Sequence, residues 1–115
     1  MNLHLTSREA LEELVEDLVH ESPAVAVLFT GVGCHLSDDV EPQVSRLLRE
    51  QFPRMRYTVV TISDAPHLVG QLGIAETPTL VVWFSGTETA RFVRQRSMDA
   101  LADALESPYV ARFGN

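Results

Sequence analysis

Two residue types are scarce or missing. The 115-residue chain has one cysteine, Cys34, and its nine basic residues are all arginine, with no lysine. A single cysteine excludes an intramolecular disulfide framework, a cysteine-rich zinc module and a two-cysteine redox motif. The longest apolar run, Ala24 to Phe29, is far too short to cross a bilayer. Met1-Asn2-Leu3-His4 has no basic stretch followed by an apolar core, so no secretory leader and no membrane are expected. A cytoplasmic protein with a reduced thiol is the resulting expectation. The missing lysines read as a coding-composition habit and not as a site. A net charge of −7 argues against nucleic acid as a partner. What is present is ordinary for a folded chain: 45% hydrophobic residues, enough for one domain.

The charge is unevenly spread. Residues 1–45 hold nine acids and one base, Arg8, whereas residues 46–115 hold eight arginines and seven acids. Thr6 and Glu9 form a capping box. Leu11, Leu14, Val15, Leu18 and Val19 then recur with helical period, which leaves Glu12, Glu13, Glu16 and Asp17 on the other face. That acidic face reads either as a solvated surface or as a docking face for a basic partner. Residues 1–5 are a candidate edge strand. Ser22-Pro23 ends the helix, and the continuous run Ala24 to Phe29 reads as a central strand buried on both faces. A second helix carries Leu36, Val40, Val44, Leu47 and Leu48, with Pro42 inside it, where the ring must kink it. Tyr57 to Ile62 is the next strand and completes a right-handed parallel βαβ unit. A short helix from Pro66 to near Gly73, a hairpin of Thr79–Phe84 with Glu88–Val93, and a last helix capped by Ser97 follow. The expected fold class is α/β: a mixed sheet of four to five strands with helices on both faces. A single domain over residues 1–107 is expected, with 108–115 as an aperiodic tail. In that tail Tyr109 and Phe113 either pack back on the fold or form a partner patch.

Cys34 lies where the central strand passes into the second helix. The first turn of a helix offers unpaired N–H groups and the positive end of the macrodipole, and both favour the nucleophilic thiolate. Ser37 is placed to donate a hydroxyl hydrogen bond to the sulfur, and His35 to add charge when protonated. Asp38, Asp39 and Glu41 oppose them, so position alone leaves a reactive and an inert thiol both open. His4, His20 and His67 are scattered and read as surface or helix-end residues. No HxxxH or CxxC spacing exists, so no metal site is expected. Gly31-Val32-Gly33 is a poor dinucleotide fingerprint, because Leu36 stands where the third glycine would be. Trp83 and Phe84 read as core residues.

Cys34-His35-Leu36-Ser37 at a helix start, Pro42 eight residues after the cysteine, Thr77-Pro78-Thr79 leading into a strand, and Gly86 in the hairpin turn together resemble thioredoxins. The resemblance spans roughly residues 5–107. Cys34 and Pro78 are 44 apart, as in short members of that family. It implies a thioredoxin-like fold, a cis peptide before Pro78, and a Thr77 backbone placed to pair with a partner's extended chain. The departures matter equally. Ser37 replaces the second active-site cysteine, Gly33 the preceding aromatic residue and Leu36 the motif proline. Leu28 stands where the family has a buried acid, the companion lysine falls near Val59, and the groove glycine falls on Arg94 or Gln95. A serine cannot resolve a mixed disulfide, so ordinary dithiol reduction is not expected.

The resemblance therefore implies a monothiol thiol–disulfide exchange protein. Cys34 is its nucleophile, Ser37 and Pro78 complete the catalytic set, and Gly33, His35 and Thr77 contact the partner. The partner is another protein or a low-molecular-weight thiol, with no cofactor, and the chain is a monomer or weak dimer. The alternative is a non-catalytic binding or chaperone module, such as an accessory protein in metalloenzyme maturation. A glutathione-ligated iron–sulfur carrier is disfavoured, since no base precedes Cys34 in its loop and acids follow it.

Overall fold

A computed structural model describes residues 6–114. The candidate strand at residues 1–5, together with His4, lies outside the described residues. The chain order is α1 (Ser7–Glu21), β1 (Ala24–Thr30), α2 (His35–Gln51), β2 (Arg56–Thr61), a single 3-10 turn (Ile62–Asp64), α3 (Pro66–Leu72), β3 (Thr79–Phe84), β4 (Thr87–Val93) and α4 (Met98–Phe113).

The strands form one mixed sheet in the order β2-β1-β3-β4. β1 runs parallel to β2, with Leu28 opposite Val59, and antiparallel to β3, with Leu28 opposite Leu80. β4 is antiparallel to β3, with a bulge between Val82 and Trp83. β1 and β3 are the two central strands and are buried along nearly their whole length. Side chains alternate across a strand, and here the alternation divides the core in two. Ala24, Ala26, Leu28, Leu80 and Val82 face α2 and α4, where Val40, Val44, Leu101 and Leu105 cover them. Val25, Val27, Phe29, Val81 and Trp83 face α1 and α3, where Val15, Val19 and Leu68 cover them. Each fully buried aliphatic side chain contributes about 1.5–3 kcal/mol, so the doubly covered β1 is the least tolerant place for a polar substitution.

Two helices differ from the sequence expectation. In α1, Leu14 is 67% exposed, whereas Glu12, expected on the acidic face, is only 8% exposed. One Glu12 carboxylate oxygen accepts the Leu68 backbone N–H at 2.6 Å. Leu68 lies in the first turn of α3, whose own cap residue, Ala65, has no capping side chain. The carboxylate of Glu12 supplies the missing acceptor. At the other end of the chain, α4 does not stop near residue 107 but continues through Pro108 to Phe113. Tyr109 stacks edge-on against Phe52 at 5.1 Å, Phe113 tilts against Tyr109 at 4.9 Å, and the Tyr109 hydroxyl accepts the Arg54 N–H at 3.0 Å. Packing against the end of α2 therefore holds residues 108–113 helical despite the donor lost at Pro108.

Candidate functional site

The site forms where the C-terminal end of β1 meets the start of α2 and the segment leading into β3. Cys34 is the N-cap residue of α2 and makes no side-chain cap bond. Its thiol is partly exposed. A 17-residue helix begins directly after it, so the sulfur sits at the positive end of the macrodipole.

Five residues shape the surroundings of the sulfur. Ser37 is 2% exposed, and its Oγ accepts the Gly31 N–H at 3.5 Å. With that lone pair engaged, the single hydroxyl hydrogen is free to point at Cys34. Thr77 contributes twice: its carbonyl receives the Cys34 S–H at 3.7 Å, and its hydroxyl donates to the sulfur. Gly31 makes this closeness sterically feasible, because a Cβ there would lie 2.8 Å from the Thr77 hydroxyl oxygen and 3.6 Å from the Cys34 Cβ. Gly33, at φ +72°, takes the left-handed turn into the helix, and the space beside it is open.

The fifth residue is Arg94. Its guanidinium donates to the Thr77 carbonyl, and its backbone N–H donates to the Pro78 carbonyl at 2.8 Å. Arg94 itself sits at φ +54°, a conformation uncommon for a residue with a side chain. The Thr77–Pro78 peptide is cis. The segment is held from the other side too, since Thr79 Oγ1 donates to the Glu76 carbonyl at 2.7 Å.

The thiol pKa is lowered from an ordinary 9.0 to about 7. The Ser37 hydroxyl is the largest cause, followed by the Thr77 side chain and the Ser37 backbone N–H; partial burial opposes them, and Arg94 adds a further lowering. Each of these donors stabilises the charged sulfur. His35, Asp38 and Asp39, which the sequence placed in competition around the thiol, are exposed on α2 and do not contribute.

The structure thus brings Cys34, Ser37, Thr77 and Pro78 together, with Gly33 at the rim and His35 turned to solvent. Sequence reasoning left Gly31 as part of a loop and Arg94 as a mere departure from a glycine position. Nothing near Cys34 in the chain pointed to Arg94, because only the β3–β4 hairpin carries it there. Leu28 and Val59, which stand where the resembled family has an acid and a lysine, are register partners on adjacent strands. Among the described residues no set of three or more His, Cys, Asp or Glu side chains converges as a metal site. Nor is any described helix long and apolar enough to cross a membrane.

No protein-family model matches the chain. The curated protein "Thioredoxin-like 3-2, chloroplastic" of Arabidopsis thaliana is 24% identical over 83 residues, covering 71% of this chain and 43% of that protein. The chain therefore spans less than half the length of that relative. Among solved structures, the thioredoxin of Trypanosoma brucei brucei superposes with a TM-score of 0.75 at 19% identity, covering 84% of this chain and 83% of the other. Mitochondrial thioredoxin 3 of Saccharomyces cerevisiae gives 0.73 at 15% identity, with 82% and 87% covered. A thioredoxin of Halobacterium salinarum gives 0.72 at 24% identity, with 81% and 80% covered. With its four-stranded mixed sheet between two helical layers, the chain has the thioredoxin fold and carries one cysteine.

Proposed function

We propose that the chain is a monothiol thiol–disulfide exchange protein. The carrying observation is a partly exposed Cys34 whose pKa is lowered to about 7, so that near neutral pH about half of it is thiolate. In the reaction the Cys34 Sγ thiolate attacks one sulfur of a disulfide. The S–S bond breaks, a mixed disulfide forms on Cys34, and the other sulfur leaves as a thiolate that takes a proton from water. Ser37 holds no second thiol to resolve the adduct, so an external thiol does so by the reverse exchange. Ser37 and Thr77 stabilise the thiolate, and the buried Pro78, its carbonyl tied to the Arg94 N–H, anchors the Thr77 backbone beside it. Leu28 and Val59 offer no ionisable group for proton transfer behind the sulfur, which agrees with a one-thiol cycle.

A reducing compartment such as the cytoplasm would keep Cys34 available. The partner is a low-molecular-weight disulfide or a protein disulfide. The test is intact-mass spectrometry of the reduced protein after incubation with bis(2-hydroxyethyl) disulfide at pH 7. A one-to-one adduct on the wild type, absent from Cys34→Ser and removed by added thiol, supports the reading. Failure of the folded protein to form the adduct overturns it.

One observation favours a second reading, a non-catalytic binding module. Arg94 occupies the Thr77 carbonyl, the group a partner's extended chain would pair with. Loss of cellular function in Cys34→Ser would exclude this reading, and intact function would favour it.

A further inference from the structure

Among the described residues, the charge of Arg94 has no carboxylate partner. The ion pairs among the described residues are Arg46–Glu50 and Arg91–Glu88. Arg54 and Arg112 lie over the Phe113 ring instead. Its guanidinium bonds the Thr77 carbonyl oxygen, which also receives the Cys34 S–H, and reaches the Cys34 sulfur itself. A guanidinium has five N–H donors in a planar fork suited to a carboxylate, so one carbonyl and the sulfur leave part of that capacity unused.

Three features keep this charge at the site. The Arg94 N–H is tied to the Pro78 carbonyl. Its left-handed backbone is a position where glycine would sit without strain. A side chain is nevertheless present there, and it is directed at the Thr77 carbonyl beside the sulfur. Strain held at a site is a pointer to use. The approach to the sulfur is open, since the space beside Gly33 is empty and Val32 is 87% exposed.

Resting on the exchange reading above, we propose that Arg94 is a specificity-determining residue that selects low-molecular-weight disulfides bearing a carboxylate near the S–S bond. The carboxylate takes the free face of the guanidinium while the Cys34 thiolate attacks the adjacent sulfur. The Cys34–sulfur bond forms and the S–S bond breaks. The departing half leaves as a thiolate and is protonated by water, so the Cys34 sulfur is oxidised and the leaving sulfur reduced. An extended peptide is the poorer substrate, because it must displace Arg94 from the Thr77 carbonyl before it can pair there.

The experiment measures second-order rate constants for mixed-disulfide formation with three probes of similar size. These are 3,3′-dithiodipropionate (anionic), bis(2-hydroxyethyl) disulfide (neutral) and cystamine (cationic). Wild type, Arg94→Gln and Arg94→Lys are compared. Taking the wild-type-to-variant ratio for each probe cancels the intrinsic leaving ability of each thiol, and taking ratios between probes cancels the thiolate fraction. The expected result is that Arg94→Gln lowers the preference for the anionic over the neutral probe by about tenfold, the scale of one charge contact at a protein surface. Cystamine should gain relative to the neutral probe, Arg94→Lys should keep most of the preference, and 1 M salt should erode it in the wild type. Equal ratios for all three probes in Arg94→Gln, with Cys34 still reactive, overturn the role of Arg94 and leave the exchange reading standing. No adduct from any probe overturns both.

Discussion

Gly31 and Thr77 touch across the site: a methyl group on Gly31 would lie 2.8 Å from the Thr77 hydroxyl oxygen. The hydroxyl it would displace is the second-largest cause of the lowered Cys34 pKa. Gly31→Ala should therefore raise that pKa from about 7 back toward 9.0 while leaving the fold intact. Iodoacetamide alkylation rate against pH reads it directly. Because Ser37 is the largest cause, Ser37→Ala should move the midpoint further than Gly31→Ala, and the reverse order would contradict this account of the site.

The lowered thiol pKa also has a sign in stability. An acid whose folded pKa lies below its unfolded value binds fewer protons in the native state, so stability rises with pH between the two values. For Cys34 the window runs from about 7 to 9.0. The contribution is fully present above that window and lost as pH falls through it. Urea unfolding of wild type and Cys34→Ser at several pH values should show the wild type gaining relative to the variant across this window. A pH-independent difference would mean the sulfur is not stabilised as thiolate.

How much of this was readable beforehand depends on how local the cause is. The β1 run and the alternation that splits the core are dictated by six consecutive apolar residues, and they follow from sequence alone. Cys34 and Ser37 are three residues apart at a helix start, so their relation is local too. Arg94 is 60 residues from Cys34, and its approach depends on a hairpin and on a backbone conformation that side chains rarely adopt. Asp38 and Asp39 are close to Cys34 in the chain, yet the helix carries them to solvent, so proximity in sequence overstated their influence. The α4 extension does leave a trace: Leu105, Tyr109 and Phe113 continue the apolar stripe in steps of four, a helical period that the reading of 108–115 as an aperiodic tail overlooks.

Glu12 shows how an acidic residue can win a core position from a leucine. Hydropathy favours turning Leu14 inward, but the first turn of α3 needs an acceptor, and the carboxylate of Glu12 provides one. Glu12→Ala should lower unfolding free energy by about 1.5–3 kcal/mol, the range for a hydrogen bond to a charged group. Leu14→Gln, on the exposed side, should change it by no more than ~0.5 kcal/mol. Chemical denaturation of the two variants side by side checks the contrast.

Tyr57 carries a cost that a substitution can relieve. Its hydroxyl oxygen is buried without a hydrogen-bond partner, and burial, with the nearby charge of Glu41, pushes its pKa upward. A raised folded pKa means the neutral phenol is favoured in the native state, so stability should fall as pH rises above the ordinary tyrosine value of ~10. Tyr57→Phe removes both the unpaired group and that loss. Tyr57→Phe should match or exceed the wild type by up to about 1–3 kcal/mol near neutral pH, measured by thermal or urea unfolding. A loss of stability would show that the hydroxyl has a partner after all, for example a bound water.

The end of α4 gives the last test, because it decides whether residues 108–114 are an appendage or part of the core. Phe52, the residue that closes α2, is only 5% exposed, and Tyr109 covers it edge-on while Phe113 packs on Tyr109. Each aromatic pair is worth about 0.5–1.5 kcal/mol beyond the area it buries, and the Arg54 N–H bond to the Tyr109 hydroxyl adds to it. Deleting residues 108–115 should therefore destabilise the protein by about 2–4 kcal/mol once burial is included. Tyr109→Phe should cost only the hydrogen bond, about 1 kcal/mol. Neither change touches the Cys34 site, so the alkylation midpoint should stay near 7 in both. A deletion variant as stable as the wild type would return residues 108–114 to the status of a tail.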